Sequence, residues 1–187
     1  MILNLGCGIN RTRYDGKPLP KGTINVDKNP AVSPDHLLDL NDGFDFGESV
    51  AEEIHAYHII EHIGKMGEPD TWFRFWRDCW RTLKRDGKMY VVAPHWLHMD
   101  SIGDPTHTRL ICRQTFTFLD RESYIVEPGG EGSSMTQFGI DFDMAITNIE
   151  EAPREAPRGI FAQLRARKTV DGGLVPMDKI KMKGVLA

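Results

Sequence analysis

A chain of 187 residues that is 40% hydrophobic and 27% charged can bury a core and fits one globular domain. Its formal net charge of -4 argues against a uniformly basic nucleic-acid surface; the Arg and Lys groups at 11–28 and 165–183 read as solvated faces. Cys7, Cys79 and Cys112 are widely spaced and form no C-x-x-C pair, so neither a disulfide framework nor a thiolate metal cluster is suggested, and a reducing, cytoplasmic setting is expected.

The opening "MILNLGCG" is too short an apolar run for a signal peptide, and it reads as a first strand stopped by Gly6 and Gly8. No window reaches the ~18 apolar residues of a membrane span, so no membrane partner is expected. Gly16, Pro18, Pro20 and Gly22 argue against a long helix over 9–22. "TINVD" makes a second strand ending at Asp27, and "DHLLDL" a short third element whose last polar member is Asp39. A short helix is expected around 48–52, leading into a fourth strand near 54–58.

The clearest helix follows. Trp72, Trp76, Cys79, Trp80 and Leu83 recur at spacings of three and four, with Arg74, Arg77, Asp78, Arg81 and Lys84 on the other side. Aromatic residues at that spacing read as a face packed on a sheet, with Asp70 as N-cap and Gly87 as a left-handed C-cap. "KMYVVAPH" is a fifth strand whose consecutive apolar residues predict cover on both faces. The stretch 96–109 reads as loop, 113–124 as helical and 127–134 as a flexible Gly-rich segment. "FDMAITNIEEA" and "GIFAQLRARK", joined by "PREAPR", form an antiparallel pair. Residues 1–170 are expected to be one domain, with 171–187 a polar tail that is partly disordered.

This order of elements predicts a doubly wound, Rossmann-like α/β sheet, mostly parallel, with a C-terminal antiparallel hairpin. Ligands of such sheets lie beyond the carboxyl ends of the strands, where Gly6 to Gly8, Asp27, Asp39, Tyr57, His58 and the stretch from His95 onward fall. "LNLGCG", "INVD", "LLDLND", "AYHIIEHI", "WRTLKRDGKMYVVAP" and "DPTHTR", in that order, resemble the small class I S-adenosylmethionine-dependent methyltransferases of phage and bacterial type. Residues 2 to about 119 carry the likeness, with Leu83-Lys84-Arg85-Asp86-Gly87 a mild departure from the family's usual "LKPGG". A dinucleotide fold would want a third glycine at position 11, which is Arg11.

The resemblance implies S-adenosylmethionine as cofactor and methyl transfer to a polar acceptor: a small molecule, a sugar, a nucleotide or a nucleic-acid end. Gly6, Cys7 and Gly8 would pass under the methionine part, Asp27 would bind the ribose hydroxyls, and Lys28, Asp39 and Leu40 would flank the adenine. Tyr57 and His58 would lie near the sulfonium or the acceptor, while Asn4, Glu61 and His62 would either bind directly or hold the turns by hydrogen bonds. For proton removal the candidates are His107 first, with Asp104 orienting it, then His95 and His58. Edge pairing of the final hairpin would allow a homodimer.

Two rival readings remain at this stage. The chain could be a cofactor-binding module without catalysis, serving as a subunit of a larger assembly. Alternatively, His58, Glu61 and His62 spell H-x-x-E-H, the order of a class of zinc hydrolases, which requires both histidines on one helix face. The preceding "EEIHAYHII" reads better as a strand, and no metal ligand is assigned on this basis.

Overall fold

The computed structural model describes residues 1–124, 138–149, 157–176 and 179. Seven strands form one sheet: β1 (Ile2–Leu5), β2 (Ile24–Asp27), β3 (His36–Leu37), β4 (Ala51–Tyr57), β5 (Leu83–Pro94), β6 (Phe142–Ile149) and β7 (Gly159–Ala166). Their order across the sheet is β3-β2-β1-β4-β5-β7-β6. The first five pair in parallel, and β7 pairs antiparallel with both β5 and β6. The chain therefore has the expected mostly parallel α/β sheet with a C-terminal antiparallel hairpin. The hairpin turn, the Gly-rich stretch 127–134 and most of the polar tail lie outside the described residues. No helix among the described residues is long and apolar enough to cross a membrane.

Helix α1 (Pro69–Thr82) lays its apolar stripe on the sheet: Trp72, Phe73, Phe75, Trp76, Cys79 and Trp80 are all buried. Trp76 touches Phe116 and Phe142 edge-on, so the tryptophans build core, as their spacing predicts. Asp78 departs from its expected exposed face. It is buried and accepts the Phe44 N–H at 3.0 Å, fixing the segment before β4 to the helix. The N-cap is Glu68 rather than Asp70, and Pro69 opens the helix, where a missing N–H costs nothing.

Three further expectations are corrected. Residues 48–50 form no helix, and β4 begins directly at Ala51, because pairing with β1 and β5 outweighs the helix propensity of the Ala-Glu-Glu run. The left-handed residue after α1 is Asp86 (φ 62°), not Gly87. Gly87 lies inside β5, where a Cβ would stand 2.9 Å from the Lys84 carbonyl and 3.1 Å from that of Ala51. Lastly, β5 is covered on both faces only over Val91–Pro94; at Lys88–Tyr90 it alternates, because residues 9–22 cover that side as a loop instead of a helix.

Tyr14 of that loop stacks on Phe161 at 4.4 Å between ring centroids. Beneath it His55 stacks on Tyr90 and its Nδ1 meets the Tyr57 hydroxyl at 2.8 Å. Two short helices follow β5, α2 (Met99–Gly103) and α3 (Arg121–Tyr124), with a 3-10 stretch over Arg113–Leu119 between them. The region read as helical at 113–124 is thus helical in two pieces, and the supposed loop 96–109 contains α2.

Candidate functional site

At the carboxyl end of β1 the chain turns through Gly6 (φ 61°) and Gly8 (φ 48°). A Cβ on Gly6 would sit 2.6 Å from Ile59, so this position admits no side chain. A Cβ on Gly8 would meet nothing within 4 Å, because the backbone there faces open space. Asp27, at the end of β2, holds the turn: its Oδ2 accepts the Gly8 N–H at 2.8 Å and its Oδ1 accepts the Asn29 N–H at 2.9 Å. Asn4 is buried, and its amide donates to the Asn10 carbonyl at 3.2 Å and to Asn25 Oδ1 at 3.1 Å. Its amide hydrogens are thereby committed to bracing the turn. Cys7 is also buried, which raises its thiol pKa despite the nearby Arg11.

These turns frame a cavity of about 340 Å³, lined by Gly6, Gly8, Asp27, Lys28, Asp39 and Leu40 together with Asn41, His58, Ile59 and His62. Burial works against the Asp39 carboxylate, but the Asn41 backbone and side-chain N–H groups, both at 3.0 Å from Oδ1, outweigh it and lower the pKa. Lys28 Nζ lies 3.7 Å from Asp39 Oδ2. Asn41, which sequence reasoning missed, ties two turns together by accepting the Gly64 N–H at 2.8 Å and donating to the His62 carbonyl at 3.4 Å.

A second cavity of about 450 Å³ opens beside the first, lined by Arg13, Tyr14, Tyr57, His58, His107 and Arg158 among others. Both volumes lie in the range of small-molecule sites. His58 alone among the described residues lines both cavities. It sits just past β4 in the left-handed region (φ 53°), a conformation uncommon for a residue with a side chain, and its side chain is 66% exposed. Tyr57 lies on the second cavity, where its hydroxyl accepts the Tyr14 N–H at 3.2 Å and burial raises its pKa.

The "DPTHTR" segment is laid against the turn after β4. The Glu61 carbonyl accepts the Thr108 and Arg109 N–H groups at 2.9 and 3.1 Å, and Arg109 donates to the Ile63 and Glu68 carbonyls while stacking over Trp72. This places His107 at 4.8 Å from the His62 ring, with its Nε2 3.7 Å from Asp104 Oδ2. Asp104 uses its other oxygen to cap Thr106, which lowers its pKa. His95 stands apart. It is buried, its pKa is lowered by that burial, and its Nδ1 accepts the Leu97 N–H at 3.3 Å; it lines neither cavity.

The residues of H-x-x-E-H do not share a helix face. His58 leaves the strand in a left-handed conformation and Ile60–His62 is one 3-10 turn, so the arrangement demanded by the zinc-hydrolase reading is not present. Of the expected site residues, Gly6, Gly8, Asp27, Lys28, Asp39, Leu40 and His58 meet around the first cavity, and Tyr57, His58 and His107 around the second.

No family model matches the sequence, and no curated protein matches it. Solved structures do. A SAM-dependent methyltransferase from Archaeoglobus fulgidus superposes with a TM-score of 0.56 at 14% identity, over 88% of this chain and 85% of that one. One from Methanosarcina mazei gives 0.51 at 12%, over 89% and 92%. Phosphoethanolamine N-methyltransferase 2 from Haemonchus contortus, in complex with S-adenosyl-L-methionine, gives 0.56 at 12%, over 90% of this chain and 48% of that one. Strand order, the antiparallel last strand and these superpositions agree: the chain has the fold of the class I S-adenosylmethionine-dependent methyltransferases.

Proposed function

We propose that the protein is an S-adenosylmethionine-dependent methyltransferase that binds its cofactor in the smaller cavity and a polar or nucleotide-like acceptor in the larger. The observation that carries this reading is the wall the two cavities share at His58, at the carboxyl ends of the parallel strands. The residues of the smaller cavity fit the cofactor. Gly8 leaves its backbone open to the cavity, and Asp27, with each oxygen holding one backbone N–H, keeps a lone pair on each for a pair of ribose hydroxyls.

When bound, S-adenosylmethionine supplies a methyl group already activated on a sulfonium. What is left to the protein is alignment of the nucleophile and removal of its proton. Gly6, Cys7 and Gly8 hold the methionine part, and Asp39, Leu40 and Lys28 the adenine. Tyr57 and His107 shape the acceptor side. His58 reaches both cavities and takes the proton from the acceptor. His95, buried and lining neither cavity, has no role in this reading.

The test is thermal melting with S-adenosylhomocysteine, with NADH and zinc as parallel controls, followed by transfer of labelled methyl to a panel of small polar molecules, nucleotides and RNA. A midpoint raised by several degrees at saturating S-adenosylhomocysteine, and not by NADH, supports the cofactor assignment. Absence of that rise refutes it, and a rise without transfer to any acceptor favours a binding module.

A further inference from the structure

Glu61 is an acid buried in the interior. Its side chain is 1% exposed, and neither carboxylate oxygen accepts a hydrogen bond among the described residues. The nearest groups able to carry positive charge are imidazoles: His58 Nδ1 at 3.5 Å and His107 Nε2 at 4.0 Å from Oε1. No Lys or Arg among the described residues lies within ion-pair distance of it. A carboxylate buried in this way is costly unless a cation meets it.

The two neighbouring histidines are oriented to offer lone pairs, not protons. His62 Nδ1 lies 3.1 Å from the Thr106 carbonyl, an acceptor only, and 3.3 Å from the Thr106 hydroxyl, whose hydrogen goes to Asp104 Oδ1 at 2.6 Å, so that nitrogen carries the hydrogen. His107 Nδ1 lies 3.0 Å from the Ser101 carbonyl, with the same consequence. With the hydrogen on Nδ1, Nε2 is the nitrogen of each ring that can offer a lone pair. A backbone carbonyl fixing the far nitrogen is how metal-binding histidines are commonly held.

We propose that Glu61, His62 and His107 bind a divalent metal ion of the class that imidazole and carboxylate share, such as zinc, manganese or ferrous iron. One ligand atom from each residue falls within a set spanning at most 4.8 Å. Metal–ligand bonds of about 2.0–2.2 Å put neighbouring ligands roughly 3.3 Å apart, so drawing the three side chains inward by about 1 Å closes the site. Asp104 Oδ2, 3.7 Å from His107 Nε2, brings a second carboxylate near the site.

The ion stands beside His58, at the junction of the two cavities, with coordination positions left for an oxygen of a bound molecule. The metal site itself rests on Glu61 and the two histidines and is independent of the methyl-transfer reading.

The experiment is calorimetric titration of metal-stripped protein with Zn²⁺ and Mn²⁺, visible absorption after addition of Co²⁺, and melting curves with and without each ion, for the wild type, Glu61→Gln and His107→Ala. One ion is expected per wild-type chain, with a melting point raised by several degrees. Each variant should bind at least about 10-fold more weakly. Without metal, Glu61→Gln should melt no lower than the wild type, because the carboxyl oxygens it alters accept no hydrogen bond among the described residues. The proposal is overturned if the wild type binds no ion, or if both variants bind as tightly as the wild type. It is also overturned if Glu61→Gln alone collapses the metal-free protein, which would mark Glu61 as the partner of protonated histidines.

Discussion

Asp27 is held by two backbone N–H groups, so its carboxylate is oriented without help from a ligand. Hydrogen bonds to a charged group contribute about 1.5–3 kcal/mol. Asp27→Asn should therefore weaken S-adenosylhomocysteine binding by roughly 10- to 150-fold, measured by calorimetry. His58→Ala should leave that affinity nearly unchanged and lower kcat by about 100- to 10,000-fold, the range for loss of a general base, once an acceptor is found. Equal losses in binding and turnover would instead make His58 a structural residue. Gly6, Gly8 and Asp27 were legible in the sequence because each answers a backbone demand or ends a strand. Asn41, Arg13 and Arg158 were not: Asn41 matters through a contact to a turn far along the chain, and Arg158 reaches the second cavity only because β7 docks beside β5.

Helix α1 was readable from its tryptophans because burial of one face is a local, periodic property. Its end was misread, since Gly87 suggested a cap while the structure uses it for close approach of two carbonyls. Gly87→Ala should lower stability by about 1–3 kcal/mol in urea unfolding, because backbone atoms cannot move aside as side chains do. A result near zero would show that β5 can shift there. Capping of the helix end comes from elsewhere: Lys168 Nζ donates to the Arg81 carbonyl at 3.0 Å and the Leu83 carbonyl at 2.5 Å, and sits over the Trp80 ring. Burial pushes its pKa down to about 8 even so. Nothing in the local sequence around 81–87 announces a partner from just beyond the last strand. The absent helix at 48–52 has the same origin, as strand pairing overrode a helix-forming composition.

Burial makes two interior histidines of the molecule harder to protonate. Burial lowers the pKa of His55 against the pull of Glu53, and it lowers that of His95 with no opposing partner. As pH falls below about 6.5 the unfolded chain takes up protons that the folded chain resists, so stability present above that pH is lost progressively as pH falls through the folded values. Urea midpoints measured from pH 7.5 to 5 should decline, and the decline should flatten in the His55→Gln/His95→Gln double variant. An unchanged slope would place the acid sensitivity in carboxylates instead.

The sheet order carries a consequence for synthesis. Among the described residues the last strand in sequence, β7, stands between β5 and β6, so β6 has no neighbour in the sheet until residues 159–166 exist. During translation at about 5–20 residues per second, β5 waits with an unpaired edge while some 70 further residues emerge. The nascent chain is then exposed to edge-to-edge association for several seconds. Ribosome-stalled chains ending at residue 150 should be digested readily by protease, and those extended by a C-terminal linker long enough for β7 to clear the exit tunnel should resist it. For this molecule the ribosome's pace, as much as equilibrium stability, sets the hazard of aggregation.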